Sequence, residues 1–136
     1  MEVTGPVRAH LNVATSARDT DFTATLTDIH PDGRTFAVAQ GILRLRYREG
    51  FDRQRLGDPG EVYEIEIDLA ATSNVFLAGH RIGVEISSSN FPRFDRNPNH
   101  GGVIAQATER DFVVAKQHVF HDASRPSYVS LPIVAS

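Results

Sequence analysis

Apolar and polar residues alternate with period two along most of this chain, the pattern of strands that bury one face. Val7, Ala9, Leu11 and Val13 line one face of a first strand and Phe22, Ala24 and Leu26 one face of a second, so both are expected to be half-buried. Pro31-Asp32-Gly33 combines a fixed φ, an Asx acceptor and a permissive glycine. Together these predict a tight reversal before a third strand over Thr35 to Arg48, bulged at Gly41. After a polar loop holding Asp58-Pro59-Gly60, the run EVYEIEIDLA alternates again, with Tyr63, Ile65, Ile67 and Leu69 as its apolar row.

Further strands are expected at His80 to Ser88, with Ile82, Val84 and Ile86 inward, at Asp111 to His121 and at Tyr128 to Val134. No window sustains a helical period, so the fold class is all-β. Many strands separated by Gly, Pro and Asp turns indicate a sandwich, of which jelly rolls and Greek keys are the common forms. The 136 residues suit a single domain over the whole chain, and a 40% hydrophobic content is enough to build a core.

Two charged rows refine this picture. Arg44, Arg46 and Arg48 alternate with Leu43, Leu45 and Tyr47, while Glu64, Glu66 and Asp68 form an acidic row on the next long strand. Cross-strand pairing explains them better than an anion site does. In a hairpin Arg46 would face Glu64 and Arg44 would face Glu66, each exposed pair adding on the order of 0.2 to 1 kcal/mol.

Composition removes several kinds of chemistry. Without cysteine there are no disulfides, thiolate metal sites or thiol nucleophiles. A net charge of -3 with dispersed Lys and Arg gives no basic footprint, so no nucleic acid partner is expected. No apolar run approaches the roughly 18 residues of a membrane span, and MEVTGPVRAH has no signal-peptide core. No membrane association and a cytoplasmic location are therefore expected, unless an upstream segment redirects the chain. The six histidines are scattered, and the nearest pair, His118 and His121, points to opposite faces of a strand, so no metal or other cofactor is expected. No G-x-S-x-G pentapeptide occurs, and Ser87, Ser88 and Ser89 read as the polar end of a strand. No catalytic, cofactor-binding or metal-binding residue is assigned. With no Trp and three Tyr, an aromatic sugar platform has little support beyond Phe91 and Phe94.

The stretch SSSNFPRFDRNPN, Ser87 to Asn99, stands out as a dense loop. Pro92 and Pro98 restrict it, Asn90, Asp95, Asn97 and Asn99 offer Asx acceptors, and Arg93 and Arg96 offer clamps for carboxylates or carbonyls. An anchoring burial of Phe94 would make it rigid.

These residues carry a family resemblance. EVTGPV near the start, DTDFTATLTDIHPDGR at Asp19 to Arg34, GILRLRYRE at Gly41 to Glu49 and PGEVYEIEIDL at Pro59 to Leu69 contribute to it. So do TSNVFLAGHRIGVEISSSNFPRFDRNPN at Thr72 to Asn99 and the terminal HVFHD at His118 to Asp122. Together they resemble the C-terminal, non-catalytic β-domain of the X-Pro dipeptidyl-peptidase and cocaine esterase group of serine hydrolases. The resemblance implies a galactose-binding-like jelly roll packed on an α/β-hydrolase domain that carries the Ser, Asp and His of the triad. None of those three falls on a position of this chain, and the first strands of the β-domain would precede Met1.

The expected function is that of a non-catalytic accessory domain, partnered in cis or trans by an α/β-hydrolase catalytic domain and prone to self-association when alone. The alternative is a free-standing ligand- or carbohydrate-binding sandwich. By the resemblance, the Ser87 to Asn99 loop is a structural signature, not a catalytic motif.

Overall fold

The computed structural model describes residues 1 to 135. Seven strands form: β1 Glu2–Thr15, β2 Asp21–Ile29, β3 Thr35–Arg44, β4 Val62–Val75, β5 Arg81–Ser87, β6 Gln117–Phe120 and β7 Tyr128–Ser130. Short 3-10 turns at Leu45–Tyr47, Ile104–Gln106 and Glu109–Asp111 are the helical segments among the described residues. In one antiparallel sheet the order is β4-β1-β6, with β7 also pairing β1; in the other it is β3-β2-β5. Strand β4 lies over β3, so the two sheets stack as a sandwich.

The core sits between them, and it is the one that alternation predicts. Val7, Ala9, Leu11 and Val13 of β1 meet Phe22, Ala24 and Leu26 of β2 and Ile65, Ile67 and Leu69 of β4, all buried. Strands β1 and β2 are each flanked on both sides, which also removes Thr23, Thr25 and Thr27 of β2 from water. The expectation of a half-buried β2 is corrected accordingly. A central strand rich in threonine satisfies those hydroxyls locally: Thr23 donates to the Ser87 carbonyl at 3.3 Å, and Gln40 donates to Thr25 at 3.5 Å.

The PDG reversal forms as expected. Gly33 adopts φ +87°, its amide donates to the His30 carbonyl, and Asp32 accepts from the Arg34 amide at 3.0 Å. The third strand stops at Arg44, short of the expected Arg48, because the chain turns into the 3-10 segment that buries Leu45 and Arg46. Gly41 pairs in register with Ala24 and makes no bulge; the register shift falls nearer Val38, between the Leu26–Ala39 and Thr27–Ala37 pairs. Gly41 instead marks close approach between sheets, since a Cβ there would sit 2.0 Å from the Asp68 carbonyl oxygen.

The C-terminal third is more irregular than the expected Asp111–His121 and Tyr128–Val134 strands. Only Gln117–Phe120 and Tyr128–Ser130 pair as strands, followed by a single bridge from Ile133 to Val3. Since β4 covers β3, the short β6 and β7 are the strands on the β5 side of the sandwich. Ile82, Val84 and Ile86 share a face with Asp28, Leu26 and Ala24, the inner face, as expected. Yet only Ile86 packs against the core, while Ile82 and Val84 are 38% and 43% exposed.

Replacing Gly41 by Ala forces the methyl against a backbone carbonyl that cannot rotate away. A destabilisation of about 1 to 3 kcal/mol is expected in urea unfolding. An unchanged midpoint would mean that the sheets separate freely at this point.

Candidate functional site

Five side chains gather where β2 begins, β3 ends and the Ser87 to Asn99 loop passes. Arg46 donates through Nε to Asp19 at 2.7 Å, and its backbone amide donates to the other oxygen of the same carboxylate at 3.0 Å. Arg44 forms a two-pronged pair with Asp21 at 2.9 and 3.0 Å. That hydrogen bond, with the charge of Asp21 and Asp19, raises the Arg44 pKa against the opposing effect of burial. Asn97 completes the set, its Nδ2 donating to Asp19 and to Asp21, each at 2.9 Å. Arg46 reaches on to the Gly102 carbonyl at 3.0 Å. Asp19 is 0%, Arg46 6% and Asn97 7% exposed, so this is a desolvated network and not a surface one.

This arrangement corrects the expected hairpin of arginine and acidic rows. Strands β3 and β4 lie in different sheets, and Arg44 and Arg46 turn to Asp21 and Asp19 of the β2 side. The acidic row pairs with β1 instead: Glu66 lies 2.7 Å and Asp68 3.5 Å from Arg8. A sequence signal for the real pairing exists. Two carboxylates spaced by two, Asp19 and Asp21, match two arginines spaced by two, Arg44 and Arg46, across an antiparallel pair.

The loop is held by Asn97, not by Phe94. Asn97 and Pro98 are buried, Phe94 is half-buried and Phe91 is 62% exposed. Asn97 also accepts the Asn99 amide in an Asx turn at 3.0 Å, with Asn99 at φ +65° and its side chain on the Val113 carbonyl. The Phe91–Pro92 peptide is cis. Arg93 and Arg96, expected to clamp carboxylates or carbonyls, lie over aromatic rings: Arg93 over Phe94, and Arg96 over Phe91 and Phe112. Ser87 accepts locally from the Ser89 amide at 3.4 Å, in keeping with a strand end.

The terminal HVFHD motif resolves into a turn. Asp122 accepts from the Ser124 hydroxyl at 2.7 Å and from Arg125 Nη2 at 2.7 Å, and Arg125 lies over the Phe120 ring. The Ser124 and Arg125 hydrogen bonds hold the Asp122 carboxyl well below the usual range. A depressed carboxyl stabilises the fold above its unfolded value and loses that contribution as pH falls through the folded value. His118 stacks on Phe120 within β6, and His121 falls just beyond the strand.

Two other places hold groups with chemistry. On the outer face of the first sheet His10 stacks on Tyr128 with ring centroids 4.6 Å apart, beside Asn12, Glu64 and Glu66. At the far end of the second sheet Asp28, His30 and His80 converge, a meeting that no spacing rule finds because His30 and His80 come from separate turns.

The two antiparallel sheets form a β-sandwich in which a buried polar clamp on the second sheet fixes one long loop. Residues 1 to 130 match the model of the X-Pro dipeptidyl-peptidase C-terminal non-catalytic domain, and the chain belongs to that family. It is 52% identical over 134 residues to cocaine esterase of Rhodococcus sp. (strain MB1 Bresler), a match that covers 98% of this chain and 23% of that protein. Among solved structures it superposes on an aminopeptidase from a marine sediment Thaumarchaeota archaeon with a TM-score of 0.92 at 34% identity, covering 98% of this chain and 24% of that one. On an α-amino acid ester hydrolase the TM-score is 0.81 at 31% identity, covering 96% of this chain and 23% of that one. The chain thus spans about a quarter of the length of these relatives.

Removing Asp19 strands the Arg46 guanidinium in a dry site. Asp19→Ala is expected to cost about 3 to 5 kcal/mol, the range for breaking a buried ion pair from one side. Asn97→Ala keeps both ion pairs and loses hydrogen bonds to charged partners, each worth roughly 1.5 to 3 kcal/mol. It should also speed proteolytic cleavage within Ser87 to Asn99. Equal loss of stability in both variants, with no change in cleavage, would show that the loop is held elsewhere.

Proposed function

We propose that the chain acts as an accessory domain of a serine hydrolase, docking on an α/β-hydrolase catalytic domain supplied in cis or in trans. The observation that carries this reading is the inner face of β5, where Ile82 and Val84 point toward a core that does not cover them. Apolar area facing water costs roughly 25 cal/mol per Å2, and a partner laid on the face recovers it. Strand β5 is also a sheet edge, pairing only β2 among the described residues. The similarity to an esterase, an aminopeptidase and an ester hydrolase, each about four times as long, supplies the class of partner. Esters, amides and N-terminal X-Pro peptides are the substrate classes of such a whole enzyme, and its nucleophile resides in the partner.

A second reading, a free-standing sugar-binding module, draws on the His10 and Tyr128 stack, an aromatic shelf flanked by Glu64 and Glu66. Addition of a separately expressed α/β-hydrolase domain separates the two. An accessory domain forms a stable complex and raises ester turnover, whereas a sugar module does neither and binds oligosaccharide by itself.

Alone, the chain is expected to leave ester and X-Pro chromogenic substrates at the buffer rate. Activity that survives purification and vanishes in one Ser→Ala variant would overturn that expectation. Without its partner, β5 should pair with β5 of a second chain, so sedimentation should show dimers as concentration rises. Val84→Lys, a charge on an exposed edge position, should return the chain to monomer. A wild-type monomer at high concentration that also ignores the hydrolase domain would defeat the accessory reading.

A further inference from the structure

We infer that Asp28, His30 and His80 form a binding site for a first-row divalent transition metal ion of the zinc, cobalt or nickel class. The three residues come from three rigid places. Asp28 is the penultimate residue of β2 on its inner face, opposite Phe36 and Ile82. His30 directly follows β2, and its amide donates to the Arg34 carbonyl at 2.8 Å, closing the PDG reversal. His80 immediately precedes β5.

His80 Nδ1 lies 2.8 Å from one oxygen of Asp28, and His30 Nε2 lies 3.9 Å from the other. The two rings are 4.2 Å apart, and one ligand atom from each of the three residues lies within 4.8 Å of the others. Bonds of about 2.0 to 2.1 Å in a tetrahedral centre separate ligand atoms by roughly 3.3 Å. The 2.8 and 3.9 Å separations from the two oxygens of Asp28 bracket that spacing. Two imidazoles and one carboxylate are borderline ligands that suit zinc, cobalt and nickel, whereas calcium and magnesium favour oxygen alone.

A plain hydrogen bond between Asp28 and His80 explains only half of this geometry. His30, which also packs on the Phe36 ring, turns a ring nitrogen toward the second oxygen of the same carboxylate. A separate observation points the same way. Asp28 and His30 open on a recess of about 430 Å3 between β3 and β4, lined also by Phe36, Thr72, Ser73 and Asn74. The Nδ2 of Asn74 is buried without a hydrogen-bond partner. Three protein ligands leave the ion an open position for a water or anion. The adjacent cation Arg34 is engaged by Asp32 at 2.7 Å and does not occupy the carboxylate of Asp28.

Titration of the chain with cobalt(II), read by visible absorption, and with zinc, read by calorimetry, tests the site. One ion per chain is expected, with the intense visible bands of a low-coordinate cobalt centre. His30→Ala leaves the Asp28–His80 hydrogen bond intact, so it should keep the circular dichroism of the fold while weakening binding by about tenfold or more. Asp28→Asn, close to isosteric, should weaken it likewise, whereas a His118→Ala, His121→Ala double variant should bind as the unchanged chain does. Absence of a saturable one-to-one phase, or equal affinity in His30→Ala, would overturn the assignment and leave a hydrogen-bonded Asp–His pair.

Discussion

The ion pair between Asp19 and Arg46 is the constraint on which the rest depends. It sits where three pieces of chain that are remote in sequence must meet: the entry to β2, the turn after β3 and the long loop after β5. Taking both charges from water is costly, and a well-packed apolar substitute often matches such a pair in stability. An apolar substitute has no way to serve the Arg46 amide, the Gly102 carbonyl and the Asn97 amide together. The charges therefore decide which loop lies against the sheets and in what register, and the hydrophobic core supplies the free energy that keeps them there.

Gly41 depends on the same placement. It lets β3 lie against β4 closely enough for the Asp68 carbonyl to fill the space of a side chain. The strand must then leave that contact within a few residues, and the 3-10 turn at Leu45–Tyr47 does so while carrying Arg46 inward to Asp19. Alternation in LRLRYR suggests one continuous strand because leucine and arginine alternate identically in a strand and across this turn.

Much of the fold is legible in the sequence, and its boundary is physical. The apolar rows of β1, β2 and β4 are buried as their period indicates, since a one-residue slip would turn each row to solvent. The PDG reversal is legible because its residues each fix a backbone angle. Which strands pair is not legible from charge rows, because an acidic row satisfies any basic neighbour; Glu66 finds Arg8 and not an arginine of β3. The loop's anchor was expected in an aromatic ring, and it is Asn97, whose short amide alone reaches both carboxylates. The convergence of Asp28, His30 and His80 arises from pairing between β2 and β5, a tertiary fact with no local spacing.

The two ends of the sandwich are built to different standards. At the clamped end charges, an Asx turn and stacked arginines tie the long loop to the second sheet, although beside Thr20 the buried Oε1 of Gln117 has no partner, and Phe91 and Phe112 stay exposed. At the other end Ile82 and Val84 lack cover, an amide of Asn74 lacks an acceptor, and the edge of β5 lacks a strand. An uncovered apolar pair, an unpaired amide and an open strand edge are each capacity that a contact from outside can use. On the accessory reading proposed above, the clamp has a mechanical sense: it keeps one end of the domain rigid, so that the uncovered β5 face meets a partner in a fixed shape.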